Sequence, residues 1–167
     1  QSLVGKNLQE MAQEMTLSPV ETAMALVQQG DVRIASFNMN NEDVERFMVE
    51  PWVVTSSDGT NGHPRKYASF PQTFKEYVID KKLLSITQFI RNSSTQTAEI
   101  LGLAHRGKIS LGYQADITIF NPERFIANAT FAQWDKYSTG VSYVVVNGEV
   151  VIESGNYQDK LAGKFVH

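Results

Sequence analysis

The chain has 167 residues, 42% hydrophobic, 20% charged and 10% aromatic, which suits one ordinary domain, or one domain plus part of another, and excludes a fibre or a disordered tail. The 15 basic and 18 acidic residues are interspersed and leave a formal net charge of -3, so there is no electrostatic footprint for nucleic acid or an anionic membrane. Cysteine is absent, which excludes disulfides, thiolate nucleophiles and thiolate metal ligands and is compatible with a reducing cytoplasm; no apolar run approaches the ~20 residues needed to span a bilayer.

The opening "QSLVGKNLQEMAQEM" lacks the plan of a signal peptide and an initiator methionine, as expected of a processed chain or of one that begins within something larger. Leu8, Met11, Ala12 and Met15 recur at helical spacing. Next, "SPVETAMALVQQG" predicts a second helix, with Ser18 as N-cap, Pro19 in the first turn, Glu21 closing a capping box and Gly30 as the stop. Val20, Ala23, Met24 and Val27 would be its buried stripe. The run "VRIASFNM" reads as a strand, Asn40 or Asn41 starts a helix carrying Val44, Phe47 and Met48, and "WVVTSS" reads as a second strand. Helix, strand, helix, strand is the order of a parallel α/β layer. Helix returns from Phe70, where Phe74, Tyr77 and Val78 can share its face, with a capping box at Ser85 and Gln88 and a last short helix stopped by Gly102.

After Leu103 the pattern becomes antiparallel. "GKISLGYQADITIFNP" offers short strand-like runs at Ile109 and Leu111 and at Ile117 to Phe120, and Asn147-Gly148 between β-branched runs predicts a hairpin with a type I′ turn. Residues 128–140 read as a loop whose Phe131, Trp134 and Tyr137 pack over the core. Asn128-Ala129-Thr130 matches a glycosylation pattern, but nothing else in the sequence supports its use, and His167 reads as a surface residue.

The chemistry-bearing stretch is "VVTSSDGTNGHPR", residues 53–65. Asp58 follows a buried strand, where α/β enzymes place catalytic groups, yet Asp58-Gly59 and Asn61-Gly62 are also good turn pairs, and the residues alone leave base and turn evenly balanced. His63 and Arg65 stand in the same polar loop; Arg65 could present a bidentate donor to a carboxylate, although solvent-facing roles fit equally well. The scattered His63, His105 and His167 make no zinc motif, Ser56 and Ser57 lack a nucleophile elbow, and no glycine-rich phosphate loop is present.

Four stretches, "SSDG", "HPRKYASFPQTFKEYV", "TAEILGLAHRGKISLGYQADITIFNPE" and "VSYVVVNGEVVIESG", resemble the carboxyl-terminal part of the N-acyl-D-amino-acid deacylases, or D-aminoacylases, of the amidohydrolase superfamily. The resemblance implies an α/β plus β architecture, the last units of a metal-dependent (β/α)8 barrel over residues 1–103 and the carboxyl-terminal share of a small β-sandwich over 104–167. It implies zinc in the intact parent, held by ligands upstream of this chain with Asp58 at most a weak or second-site ligand, and none bound by this segment, which alone would be inactive. Asp58 becomes the general base and proton shuttle, taking a proton from the attacking metal-bound water and passing it to the departing amine; Arg65 grips the substrate's carboxylate and His63 orients the loop or lines the pocket. The implied partners are a small N-acyl amino acid and the missing amino-terminal part, or self-association through exposed edges, with no nucleic acid and no membrane. Arg106 and Gly107 would begin a sandwich strand and Asp116 would satisfy a turn or strand end. Ser56 stands where many relatives have glycine, and "NSSTQTAEI" lacks a common proline, departures that bear on substrate preference. Cyclic amides, enamides and dipeptides remain alternative substrates, and a non-catalytic folding or interaction domain the alternative role.

Overall fold

The computed structural model describes residues 3–166. His167, read above as a surface residue, lies outside them. The chain forms two compact units, one ending at Asn38 and the other beginning at Met39.

In the first unit, α1 (Leu8–Met15) and α2 (Pro19–Gln28) each begin with a capping box. Asn7 and Glu10 satisfy each other's backbone N–H groups in α1, and Ser18 and Glu21 do the same in α2. Such a cap is worth ~1 kcal/mol because it satisfies donors that the helix itself leaves orphaned. Met11, Ala12 and Thr22 are buried. The stripe expected to be buried on α2 is instead exposed, Val20 at 70%, Met24 at 59% and Val27 at 69%, because in this unit the helix buries the face carrying Thr22.

The second unit starts with α3 (Asn41–Met48), capped by the Asn40 side chain. The stretches expected as parallel strands, 32–39 and 52–57, have no ladder partner among the described residues. A parallel strand draws all of its ladder hydrogen bonds from a neighbouring strand, which neither stretch has there. The Thr55 N–H donates instead to the Asn92 carbonyl, and Gln96 Nε2 donates to the Pro51 carbonyl at 2.5 Å, which ties the segment before Asp58 to the helices behind it.

Helix α4 (Arg65–Thr73) runs directly into a π-helical stretch, Phe74–Asp80. Pro71 inside α4 brings no N–H, so the carbonyl four residues back, on Tyr67, lacks its helical donor; the Ser138 hydroxyl supplies one from a distant loop. Then come α5 (Ile86–Ser93), started by the expected Ser85–Gln88 capping box, and α6 (Thr95–Ile100). Phe74, at 1% exposure, is the hub of the core. Its ring meets Phe89 at 5.2 Å, Phe120 at 5.6 Å and Phe125 at 5.8 Å, so one aromatic cluster joins the helices to the sheet. Burying such a side chain stabilises the fold by ~2–3 kcal/mol.

The sheet is antiparallel, in the order β1 (Ile117–Phe120), β2 (Val141–Val146), β3 (Glu149–Glu153), β4 (Asn156–Tyr157). Asn147 at φ 49° and Gly148 at φ 86° make the β2–β3 turn with both central residues left-handed, as a type I′ hairpin requires. Arg106 and Gly107 do not begin a strand, and Ile109 and Leu111 are exposed at 88% and 100%. Gly107 lies flat on α6 instead: a Cβ there would come within 2.7 Å of Ala98 Cβ, and Thr95 Oγ1 donates to the Gly107 carbonyl at 2.6 Å.

Asp116, just before β1, is a hub. One oxygen accepts from the Asn147 N–H at 2.8 Å and the other pairs with Arg106, whose second nitrogen donates to Asn147 Oδ1 at 3.0 Å. Asp116→Ala would leave the turn N–H and a half-buried guanidinium without their acceptor, an expected loss of ~1–3 kcal/mol that chemical denaturation would measure. The result is a mixed α/β architecture with helices and an open sheet, and no described helix is long and apolar enough to cross a membrane.

Candidate active site

Val53, Val54 and Thr55 are half-buried and lead into a loop that reaches solvent at Asp58. Asp58 has φ 42°, in the left-handed region that Asp and Asn tolerate best among residues with a Cβ. Gly59 follows because the chain passes close to the next helix: a Cβ there would lie 3.2 Å from Lys66 Cγ. Asn61-Gly62 turns the chain, with Gly62 at φ 85°, and Lys66 Nζ reaches back to Asn61 Oδ1 at 2.8 Å. The loop therefore folds onto the start of α4.

That start is held by His63. Its Nδ1 accepts the Arg65 N–H at 3.1 Å, and the preceding Pro64 offers no side-chain cap. An imidazole can accept at Nδ1 only when neutral, with its proton on Nε2. Burial, and then the nearby Arg65 charge, lower the His63 pKa, while Asp58 raises it, and the net direction favours the accepting form.

The arginine that follows faces the aspartate. Arg65 Nη2 lies 2.8 Å from Asp58 Oδ2 and 3.5 Å from Thr60 Oγ1. The Asp58 side chain is 78% exposed and that of Arg65 38%, yet Arg65 Nε is buried without an acceptor among the described residues. A guanidinium that keeps part of its surface open to solvent can take a further carboxylate, and an exposed carboxylate beside it can exchange protons with a bound molecule.

The structure thus brings Asp58 and Arg65 into direct contact and places His63 behind Arg65, on its backbone. His105 is in another setting, its ring 5.6 Å from Tyr113. Among the described residues no group of three or more His, Cys, Asp or Glu could hold a metal, so this chain's donors do not by themselves fit zinc. The loop of residues 128–140 carries its aromatics to this region and not over the phenylalanine core: Phe131 meets His63 edge to face at 5.1 Å, and Trp134 and Tyr137 meet Tyr67 at 6.4 and 5.2 Å. Nothing in the sequence marks Thr60 or Tyr67, because a loop threonine and a helical tyrosine carry no signal of their own.

A profile of the amidohydrolase family matches residues 3–152. The D-aminoacylase of Alcaligenes xylosoxydans xylosoxydans is 30% identical over 166 residues, 97% of this chain and 34% of that protein. A crystal structure of D-aminoacylase superposes with a TM-score of 0.84 at 29% identity, covering 97% of this chain and 34% of the other. The N-acyl-D-glutamate deacylase of Bordetella bronchiseptica, solved with zinc and a phosphonate mimic of the tetrahedral intermediate, superposes with a TM-score of 0.75 at 27% identity, covering 88% of this chain and 31% of the other. This chain spans about a third of the length of these relatives. With the family profile running through both units, the chain belongs to the amidohydrolase family.

Proposed function

We infer that this chain is the part of an N-acyl-D-amino-acid deacylase that supplies a proton-transferring carboxylate, Asp58, and a substrate-gripping guanidinium, Arg65. The observation that carries this reading is the contact between Asp58, in the loop, and the partly exposed guanidinium of Arg65, at the start of α4. Water adds its oxygen to the acyl carbon while Asp58 takes a proton from it. The C–N bond then breaks as Asp58 returns that proton to the departing nitrogen, giving a carboxylate and a free D-amino acid. Arg65 holds the substrate's own carboxylate and so fixes the distance between the amide and Asp58. His63 supports Arg65 through the first N–H of α4.

Zinc enters this reading from the relatives, one of which was solved with it. Its ligands are assigned to an upstream part of the parent, as are the strands that would pair with residues 32–39 and 52–57; Asp58 alone could add a weak ligand. The 167 residues by themselves are accordingly expected to be silent.

The full-length protein loaded with zinc should release amino acid from N-acyl-D-amino acids and not from the L enantiomers. Arg65→Met should raise KM for such a substrate by about ten- to a hundredfold, the size of a lost charge-assisted hydrogen bond, and leave KM for its carboxamide-capped analogue unchanged. Equal shifts on both substrates would remove the clamp and favour a cyclic amide, an enamide or a dipeptide as substrate. Failure of the full-length protein to bind zinc would favour a non-catalytic folding or interaction role.

A further inference from the structure

We propose that Phe131 is a positioning residue for substrate binding: acting through His63, the loop of residues 128–138 sets the placement of Arg65. The proposal rests on the deacylase reading above for what Arg65 grips, and on contacts within this chain for how it is placed.

The loop touches both α4 and the turn that leads into it. Phe131 packs its ring against His63 at 5.1 Å with the planes 77° apart. Tyr137 packs against Tyr67 at 5.2 Å and 90°, and Trp134 adds a tilted contact with the same ring. The Ser138 hydroxyl donates to the Tyr67 carbonyl, the group that Pro71 leaves without a helical donor. His63 lies in the turn before α4, and the Arg65 guanidinium turns toward Asp58 and Thr60.

His63 is the joint between the loop and Arg65. Its Nδ1 accepts the Arg65 N–H, and the Phe131 ring limits how the imidazole can turn. Edge-to-face aromatic contacts are directional, so the loop transmits orientation as well as burial. Without Phe131 the imidazole can rotate off the N–H, and the first residue of α4, which is the gripping arginine, loses its backbone anchor.

The test uses the full-length, zinc-loaded protein, an N-acyl-D-amino acid and its carboxamide-capped analogue. Phe131→Ala should raise KM for the free acid about tenfold, the loss expected when one charge-assisted hydrogen bond is misplaced, and leave the KM of the capped analogue unchanged. Phe131→Tyr keeps the ring and should behave as the parent. His63→Ala should match Phe131→Ala, the double variant should be no worse than His63→Ala, and His63→Asn, whose side-chain oxygen can accept the same N–H, should recover most of the affinity. Equal KM shifts on the two substrates, or additive effects of the two alanine variants, would overturn the proposal.

A readout independent of turnover separates this idea from the deacylase reading. In a nitrogen NMR spectrum of histidine-labelled protein, His63 Nδ1 should show the hydrogen-bonded acceptor signature, and Phe131→Ala should abolish it. If the parent hydrolyses neither substrate, the deacylase reading fails on its own, and an unchanged His63 signal in Phe131→Ala would then overturn the positioning role as well.

Discussion

Asp58→Asn in the full-length protein is expected to lower kcat by about 10²- to 10⁴-fold, the usual contribution of a positioned acid or base, while substrate affinity stays near that of the parent. Asparagine is the informative replacement. The backbone at Asp58 has φ 42°, and Asn tolerates that region as well as Asp does, so the turn survives. The side chain is largely exposed, and its pairing with Arg65 is of the solvent-facing kind worth ~0–1 kcal/mol, so the melting curve should barely move. Loss of turnover on an unchanged melt would assign Asp58 to proton transfer. A variant that keeps full turnover would leave it as a turn residue, and Asp58→Ala would then show its effect in stability alone.

The largest structural effect is expected at Gly140, between the Ile126–Thr139 bridge and the start of β2. Its φ is 91°, and a Cβ there would come within 2.2 Å of the Arg124 carbonyl oxygen and 2.6 Å of the Phe125 nitrogen. Both neighbours are backbone and cannot swing aside as the end of a side chain can. The Gly140 carbonyl also accepts the Asn121 N–H at 2.8 Å, so displacement would disturb the end of β1 as well. Gly140→Ala combines a left-handed backbone penalty of ~1–2 kcal/mol with an overpacking penalty of ~1–3 kcal/mol, and about 3 kcal/mol or more of destabilisation is expected. The shift must pass through Phe125, which belongs to the core cluster with Phe74 and Phe89. Chemical denaturation decides the matter: a loss below about 1 kcal/mol, within the common range for an ordinary point substitution, would show that the close approach is not maintained in solution.

The features legible in the sequence are those whose causes lie within a few residues. Ser18 with Glu21 and Ser85 with Gln88 form the capping boxes their spacing predicts, because each bond spans three residues. Asn147-Gly148 forms the expected turn because both residues accept positive φ. Asp116 was expected to satisfy a turn or strand end; its two oxygens serve the hairpin turn and Arg106. The family motifs were legible for a different reason, since they record a whole fold in short strings.

What the chain alone determined, then, is its helix caps, its hairpin, its family and a short list of residues able to do chemistry; α4, expected from Phe70, begins at Arg65. The tertiary structure decided which of them meet. Asp58 and Arg65 are seven residues apart, but their contact depends on how the Asn61-Gly62 turn folds the loop onto α4. Phe131 meets His63 because the loop after β1 returns to the start of α4, where Ser138 also donates to the carbonyl that Pro71 leaves open. Val20, Met24 and Val27 carry the periodicity of a buried stripe and yet stand exposed, and residues 52–57 carry the composition of a strand without a ladder. Burial and sheet hydrogen bonds are properties of a pair of surfaces, and a sequence pattern specifies only one member of the pair.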